Sequence, residues 1–419
     1  MDTSSEWQKS LSFSDRMATT LKIATSYKTA FPETDTSNTQ VEARQIESSI
    51  YKSASSKENY HQRCDAKIDE FSHLNQVSDD EPYLEPDGTD PEDPQTGESI
   101  GPYENCTYLT NGPFSTIYKT RTTNPPQTLA LKLTTPSQSQ PPHDPKREAR
   151  ILASLSHPNI IPLLSTHSLP TTPSSLLLVF PFQHLDLSSL IQKHNPLTQK
   201  QQANTIKDIF AGLSHLHSKN IIHRDIKPTN ILLSTPHGPA LLADFGTAWA
   251  PPSLSLSSSS AEPPEQKITD VGTTCYRAPE LLFGKRDYGC EIDLWAAGCV
   301  VAEIVMAGQK PQPGIKKEEQ EGGWTLFNAG ALGSELALVK SIFETLGTPN
   351  SSTWPETTHL PDWGKMTFVQ FPSKTWEDIL PGVEVEARDL VGKLVRYQSS
   401  ERISAEEVLK HAFLSERGV

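Results

Sequence analysis

No run of eighteen apolar residues occurs in the 419-residue chain, which removes the simplest membrane-spanning element, a helix of about 20 apolar residues. Cysteine is scarce too. Cys64, Cys106, Cys275, Cys290 and Cys299 are scattered, with no Cys-x-x-Cys pair and no histidine at ligand spacing. That pattern excludes a disulfide-stapled scaffold and a structural zinc site, and fits a reducing compartment such as the cytosol or nucleus. Residues 1–9 lack the basic-then-apolar order of a secretory signal. A basic excess is also missing. The formal charge is −14, so no field for gripping nucleic acid is expected. Much of that charge sits in one stretch: residues 77–102 hold nine carboxylates, five prolines and no lysine or arginine. Such a composition cannot bury enough apolar surface to fold. Residues 77–100 are therefore expected to be a disordered acidic linker, with room for a folded unit on either side (5–76 and 101–415).

What the chain does contain is a dense cluster of chemistry. His223-Arg224-Asp225-Ile226-Lys227-Pro228-Thr229-Asn230 is followed fourteen residues later by Asp244-Phe245-Gly246. Asp225 can accept the proton of an attacking hydroxyl, Lys227 can neutralise a moving phosphoryl group, and Asn230 and Asp244 offer oxygen ligands for Mg²⁺. A short tripeptide alone would mean little. Here Ile221-Ile222, Ile231-Leu232-Leu233 and Leu241-Leu242-Ala243 read as short buried strands, so both metal ligands leave neighbouring strand ends. The spacing resembles the catalytic and metal-binding loops of eukaryotic protein kinases. Lys227, two residues after Asp225, matches their serine/threonine-specific class.

That resemblance implies an ATP site. The phosphate-covering loop aligns with residues 109–119, where Gly112 is the one glycine kept of three, with Thr110 and Ser115 at the other positions. Glycines let backbone N–H groups approach phosphates, so this loop is degenerate. Ile117 and Ala130 would line the nucleotide, with Leu232 across from them. Lys132, in Leu129-Ala130-Leu131-Lys132, would grip the α- and β-phosphates and pair with Glu148. Asp144 before Pro145 makes an N-cap and first-turn pair, so the helix carrying Glu148 should start there. Residues 175–183 resemble the hinge, with Phe180 as gatekeeper, the backbone of Pro181 and Gln183 facing adenine, and Asp186 reaching the ribose.

Further on, Val271-Gly272-Thr273-Thr274-Cys275-Tyr276-Arg277-Ala278-Pro279-Glu280 resembles the end of the activation segment in cyclin-dependent kinases. The likeness implies that Thr273 bridges Asp225 and Lys227, that Glu280 pairs with Arg402, and that Asp293 supports the catalytic-loop backbone. Residues 247–267, rich in proline and serine, should be irregular. Three controls typical of that branch are altered. Pro113 and Phe114 stand at the inhibitory threonine and tyrosine positions, the helix before Glu148 is short and lacks a cyclin-docking sequence, and Ile268 stands at the activating threonine. Thr269 is the neighbour that could substitute by a one-residue shift. The resemblance, over residues 101–414, runs towards fungal CDK-activating kinases, which work without a cyclin and phosphorylate another kinase.

Ahead of the linker, Ser12 with Asp15, Thr39 with Glu42 and Ser55 with Glu58 have capping-box spacing. Tyr60, Cys64, Ile68 and Phe71 share one helical stripe, and a three-helix bundle is expected. Residues 42–60, with Trp7 upstream, resemble the KIX domain of the Mediator tail subunit, a family that takes amphipathic activator peptides in a groove. A small capping bundle without a partner stays open beside that.

The whole reads as an α+β, two-lobed protein kinase domain preceded by a small helical bundle and an acidic linker. Its expected activity is ATP- and Mg²⁺-dependent phosphorylation of serine or threonine in a protein, with another kinase as the expected substrate. No nucleic acid or membrane is expected as a partner, a cyclin is disfavoured but stays open, and the location is nuclear or cytoplasmic. The alternative is a weakly catalytic or pseudokinase scaffold recruiting transcription or cell-cycle factors through the bundle. Ile268 predicts that phosphatase treatment leaves the purified chain's activity unchanged. Loss of activity, restored by modifying Thr269, would overturn this.

Overall fold

The computed structural model describes residues 13–31, parts of 39–56, 57–74, 97–112, 114–170, 174–192, 197–252, 262–307, 324–330 and 333–415. They form two compact units that divide between residues 95 and 96. Among the described residues no helix is long and apolar enough to cross a membrane.

In the first unit, α1 (Phe13–Ala30) and α2 (Lys57–Leu74) pack with helical residues between 39 and 51. Ile23, Ala24, Ala43, Ile50, Tyr60, Cys64 and Phe71 are buried in one cluster, with Ile68 against it, so the stripe read from the spacing is the buried face. Glu47 is the polar centre of this cluster. Its carboxylate accepts two hydrogen bonds from Arg16, at 2.8 and 2.7 Å, and one from the Tyr60 hydroxyl at 2.8 Å. One of the cap readings, that of Thr39, needs correction. Thr39 already has helical backbone. At the start of α2 the Ser56 Oγ accepts the Asn59 N–H at 3.1 Å, a cap contact, and Ser55 lies outside the described residues. Ser12 lies outside the described residues.

The second unit begins with a twisted antiparallel sheet, order β1-β2-β3-β4-β6-β5: β1 (Glu98–Ile100), β2 (Tyr103–Asn111), β3 (Ser115–Thr123), β4 (Pro126–Thr134), β5 (Ser165–Leu169) and β6 (Ser175–Pro181). β1 corrects the expected end of the linker. Glu98 pairs with Cys106 and Ile100 with Tyr103, so backbone pairing and the burial of Ile100 outweigh the acidic composition there. The linker's residues 77–96 lie outside the described residues. Between β4 and β5 sits α3 (Pro145–Ala153), capped by Asp144, whose side chain accepts the Arg147 N–H at 3.0 Å. Period-two alternation sorts β4: Leu129 and Leu131 are buried with Ile100, Cys106, Leu177 and Val179, and Ala130 and Lys132 take the other face.

A second small sheet, β7 (Leu185–Asp186), β8 (Ile231–Leu233) and β9 (Ala240–Leu242), lies among helices. Ile221-Ile222, read as a strand, forms only a single bridge from Ile222 to Trp249. The main helices are α4 (Gln199–Ser218), α5 (Glu291–Ala307), α6 (Glu335–Leu346) and α7 (Val385–Leu394). Helix α4 starts on a capping box between Thr198 and Gln201. Residues 292–305 of α5 are all buried, as expected of a central helix apolar on every side. Gly298 permits the approach of α7: a Cβ there would lie 2.7 Å from Val395 and 2.8 Å from Leu394.

Glu303 is an acid inside α5, 7% exposed. Burial pushes its carboxyl up to about 8, against a small opposing pull from the Tyr276 hydroxyl. The native state therefore keeps a proton that the unfolded chain releases above 4.5, and stability falls as pH rises through the window from 4.5 to about 8. Glu303→Gln removes that loss. Relative to wild type its unfolding free energy should rise between about pH 5.5 and pH 8, by roughly 1.4 kcal/mol per unit at most. Parallel stability–pH curves in chemical denaturation would refute the assignment.

Candidate active site

The catalytic loop is held from below by α5. The Asp293 carboxylate accepts the backbone N–H of His223 at 2.8 Å and of Arg224 at 2.9 Å, and contacts the His217 ring at 3.0 Å. Burial alone would raise its carboxyl, but His217 and these donors hold it below the ordinary carboxylate range. Arg224 sits at φ +70° and Asp244 at φ +59°, a left-handed region costly for residues with a Cβ and common at functional sites. The His223 ring joins the two loops through a 3.0 Å hydrogen bond with the Ala243 carbonyl.

Asp225, Lys227, Thr273 and Asn230 come together as the sequence led one to expect. Thr273 donates to Asp225 Oδ1 from both its N–H and its hydroxyl, at 3.0 Å each. Lys227 Nζ donates to Thr273 Oγ1 at 2.8 Å and lies 3.1 Å from Asp225 Oδ2. Asn230 Nδ2 donates to Asp225 Oδ2 at 2.9 Å. This leaves the Asn230 amide oxygen as the atom able to ligate a cation. Asp225 is thus fixed with an ammonium beside it, an arrangement that can take a hydroxyl proton while the charge is balanced.

Lys132 is the second centre. Nζ donates to Glu148 Oε1 and Oε2 at 2.7 and 3.0 Å and to Asp244 Oδ1 at 2.7 Å. Burial disfavours the ammonium, but the two carboxylates raise its pKa, and Lys132 in turn holds the Asp244 carboxyl well below the usual range. Asn230 ends the turn before β8 and Asp244 follows β9, so the two metal candidates leave adjacent strands. Among the described residues no group of three or more His, Cys, Asp or Glu side chains could hold a metal. Two protein oxygens fit Mg²⁺, which commonly takes one or two protein ligands and completes its shell from phosphate and water.

The proposed nucleotide walls are set by register. Ile117 lies opposite Lys132 across β3 and β4, Ala130 opposite Phe180 across β4 and β6, and Asp186 opposite Leu232 across β7 and β8. Pro181 ends β6 and Gln183 follows it half-buried. Asp186 accepts the Ser189 N–H at 2.8 Å and its hydroxyl at 2.9 Å, so it caps the turn of helix at 187–192. At the degenerate loop the Gly112 N–H donates to the Ser115 carbonyl at 2.7 Å, closing a tight hairpin. Pro113 lies outside the described residues. The Phe114 ring packs 4.8 Å from that of His143, just ahead of α3.

The supporting ion pair is present: Arg402 grips Glu280 at 2.5 and 2.7 Å with both side chains buried. Arg224 is already engaged by Glu262, through hydrogen bonds of 2.7 and 2.9 Å, because this carboxylate folds back onto the catalytic loop from the irregular segment. Glu262 and Arg147 are the residues that the sequence reading missed. An acid six residues before Ile268 was the one available signal.

Comparison with known proteins agrees with this geometry. The protein kinase domain family matches residues 103–414. The serine/threonine-protein kinase csk1 of Schizosaccharomyces pombe is 33% identical over 292 residues, covering 70% of this chain and 88% of that protein. Among solved structures, a chain of the yeast RNA polymerase II CTD kinase CTDK-1 complex superposes with a TM-score of 0.59 at 25% identity, over 76% of this chain and 94% of that one. The chain belongs to the protein kinase family.

Proposed function

We propose that the chain transfers the γ-phosphoryl group of ATP to serine or threonine in a protein, and that its substrates include the activation segment of another, cyclin-dependent, kinase. The observation that carries this is the joined constellation of Asp225, Lys227 and Thr273, set beside Lys132 already paired with Glu148. Bound ATP and Mg²⁺ supply the phosphoryl group and the charge that neutralises it. The chain's own residues do the rest. Asp225 orients the incoming hydroxyl and takes its proton at the carboxylate, and Lys227 balances charge beside it. Lys132 is held as an ammonium for the phosphates, while Asn230 and Asp244 present oxygens to the cation. Ile117, Ala130, Phe180 and Leu232 bracket the base, with the Pro181 and Gln183 backbone at the hinge.

Support for serine/threonine specificity comes from Lys227 and from the likeness to a serine/threonine-protein kinase. Support for a kinase substrate and for cyclin-free action comes from the resemblance carried by residues 270–277 and the short α3, nine residues long. In this reading residues 5–76 form a KIX-like module that takes an amphipathic activator peptide, the acidic stretch from 77 up to β1 tethers it, and a nuclear role in the cell cycle follows. Incubating the purified lone chain with ATP and an inactive cyclin-dependent kinase, beside a Ser-Pro peptide, tests the proposal. Wild type should label the kinase, and Asp225→Asn should lower kcat by about 10²–10⁴-fold, the typical worth of a positioned general base. Equal signals from the two proteins would favour the scaffold alternative. A strict cyclin requirement would remove the single-chain reading.

A further inference from the structure

The Glu262 carboxylate is the meeting point of three elements that otherwise belong to separate parts of the kinase unit. It accepts two hydrogen bonds from Arg224 of the catalytic loop, at 2.7 and 2.9 Å, and one from Arg147 of α3 at 3.3 Å. It also accepts the backbone N–H of Ile268 in the activation segment at 2.9 Å. The Trp249 indole N–H donates to the Glu262 carbonyl at 3.0 Å, which fixes the backbone behind it. The group is well sheltered: side-chain exposure is 9% for Glu262, 9% for Arg147 and 0% for Arg224. Each contact has a neighbour in the chemistry. Arg224 precedes Asp225, Arg147 precedes Glu148, and Ile268 opens the stretch that delivers Thr273.

In kinases switched by modification, a phosphate on the activation segment orders it by pairing with arginines. Here a fixed carboxylate occupies arginines of the catalytic loop and α3, at a chain whose residue 268 cannot be phosphorylated. We infer that Glu262 is a positioning residue that replaces such a phosphate, holding α3, the catalytic loop and the activation segment in the competent arrangement without modification. Two guanidinium groups face one carboxylate, so the cluster keeps a surplus of positive charge and the carboxylate stays ionised. Arg224 holds it below the ordinary range although burial opposes this. The inference rests on the kinase reading and adds to it the means by which this chain is active as synthesised.

The test uses the full chain, purified and phosphatase-treated. Glu262→Gln keeps the shape and removes the charge. It should lower kcat on a protein substrate by about tenfold or more, equivalent to about 1.4 kcal/mol in the barrier, with Glu262→Asp recovering part. Arg147→Gln should cost a similar factor, and the double variant no more than the worse single, since both changes break one contact network. Amide exchange across residues 145–153 should quicken in Glu262→Gln while the global unfolding midpoint changes little. That readout needs no phosphoryl transfer, so it separates failure of the positioning role from failure of the kinase reading. Unchanged kcat and exchange in Glu262→Gln, or additive losses in the double variant, would overturn the inference. Should Glu262→Gln not fold, Arg147→Gln decides alone: wild-type kcat and exchange there would equally overturn it.

Discussion

Asp293 accepts the backbone N–H groups of two successive residues, His223 and Arg224, from within a helix whose residues 292–305 are buried. That contact sets the course of the catalytic loop. A left-handed arginine costs on the order of 1–3 kcal/mol, and it persists where surrounding bonds over-determine it. The turn at Arg224 sends its guanidinium back to the activation segment, while Asp225 meets Thr273 and Lys227. Displacing Asp293 would therefore move Asp225 and its support together. Gly298, five residues along α5, lets α7 approach closely enough to keep that helix in place.

Above the loop, the sheet supplies Lys132 by register. With Ile117 opposite it on β3 and Leu178 opposite it on β6, the lysine has no freedom to slide without exposing Leu131. Its ammonium joins α3, through Glu148, to the loop after β9, through Asp244. These contacts and the Glu262 cluster bear on the same short helix from two adjacent residues, Arg147 and Glu148. Nine residues of α3 are enough to couple phosphate-binding geometry to the state of the activation segment, because consecutive helical side chains point in different directions.

The chemistry was legible where it is encoded locally. Asp225, Lys227 and Asn230 lie within six residues, and the strands that place Asn230 and Asp244 are short apolar runs. Lys132 and Glu148 were legible because a strand and a capped helix follow each other directly. Glu262 was not, since its contacts reach back 38 residues to Arg224 and 115 to Arg147 from a proline- and serine-rich run without periodicity. β1 was hidden by composition: three residues of strand are paid for by pairing with β2, which no local signal announces. The Glu47 network in the N-terminal unit shows the same limit. Its helices were readable from spacing, but the pairing of Arg16 and Tyr60 on one carboxylate depends on how they pack.

Buried acids in the kinase unit divide by what surrounds them, and that division explains where its charges sit. Glu303 is buried against the Tyr276 hydroxyl, so desolvation wins and the proton stays. Glu280 and Glu262 each meet a bidentate guanidinium, and at Glu262 this keeps the carboxyl below its ordinary range against burial. Neither pair is thereby a strong source of stability, because desolvation of two charges offsets most of their attraction. Their value is geometric. A guanidinium fork and a carboxylate satisfy each other in few orientations, so Glu280–Arg402 fixes the end of the activation segment on the helical core. Glu262, with a second arginine from α3, extends that constraint from the core to the helix that aligns Lys132.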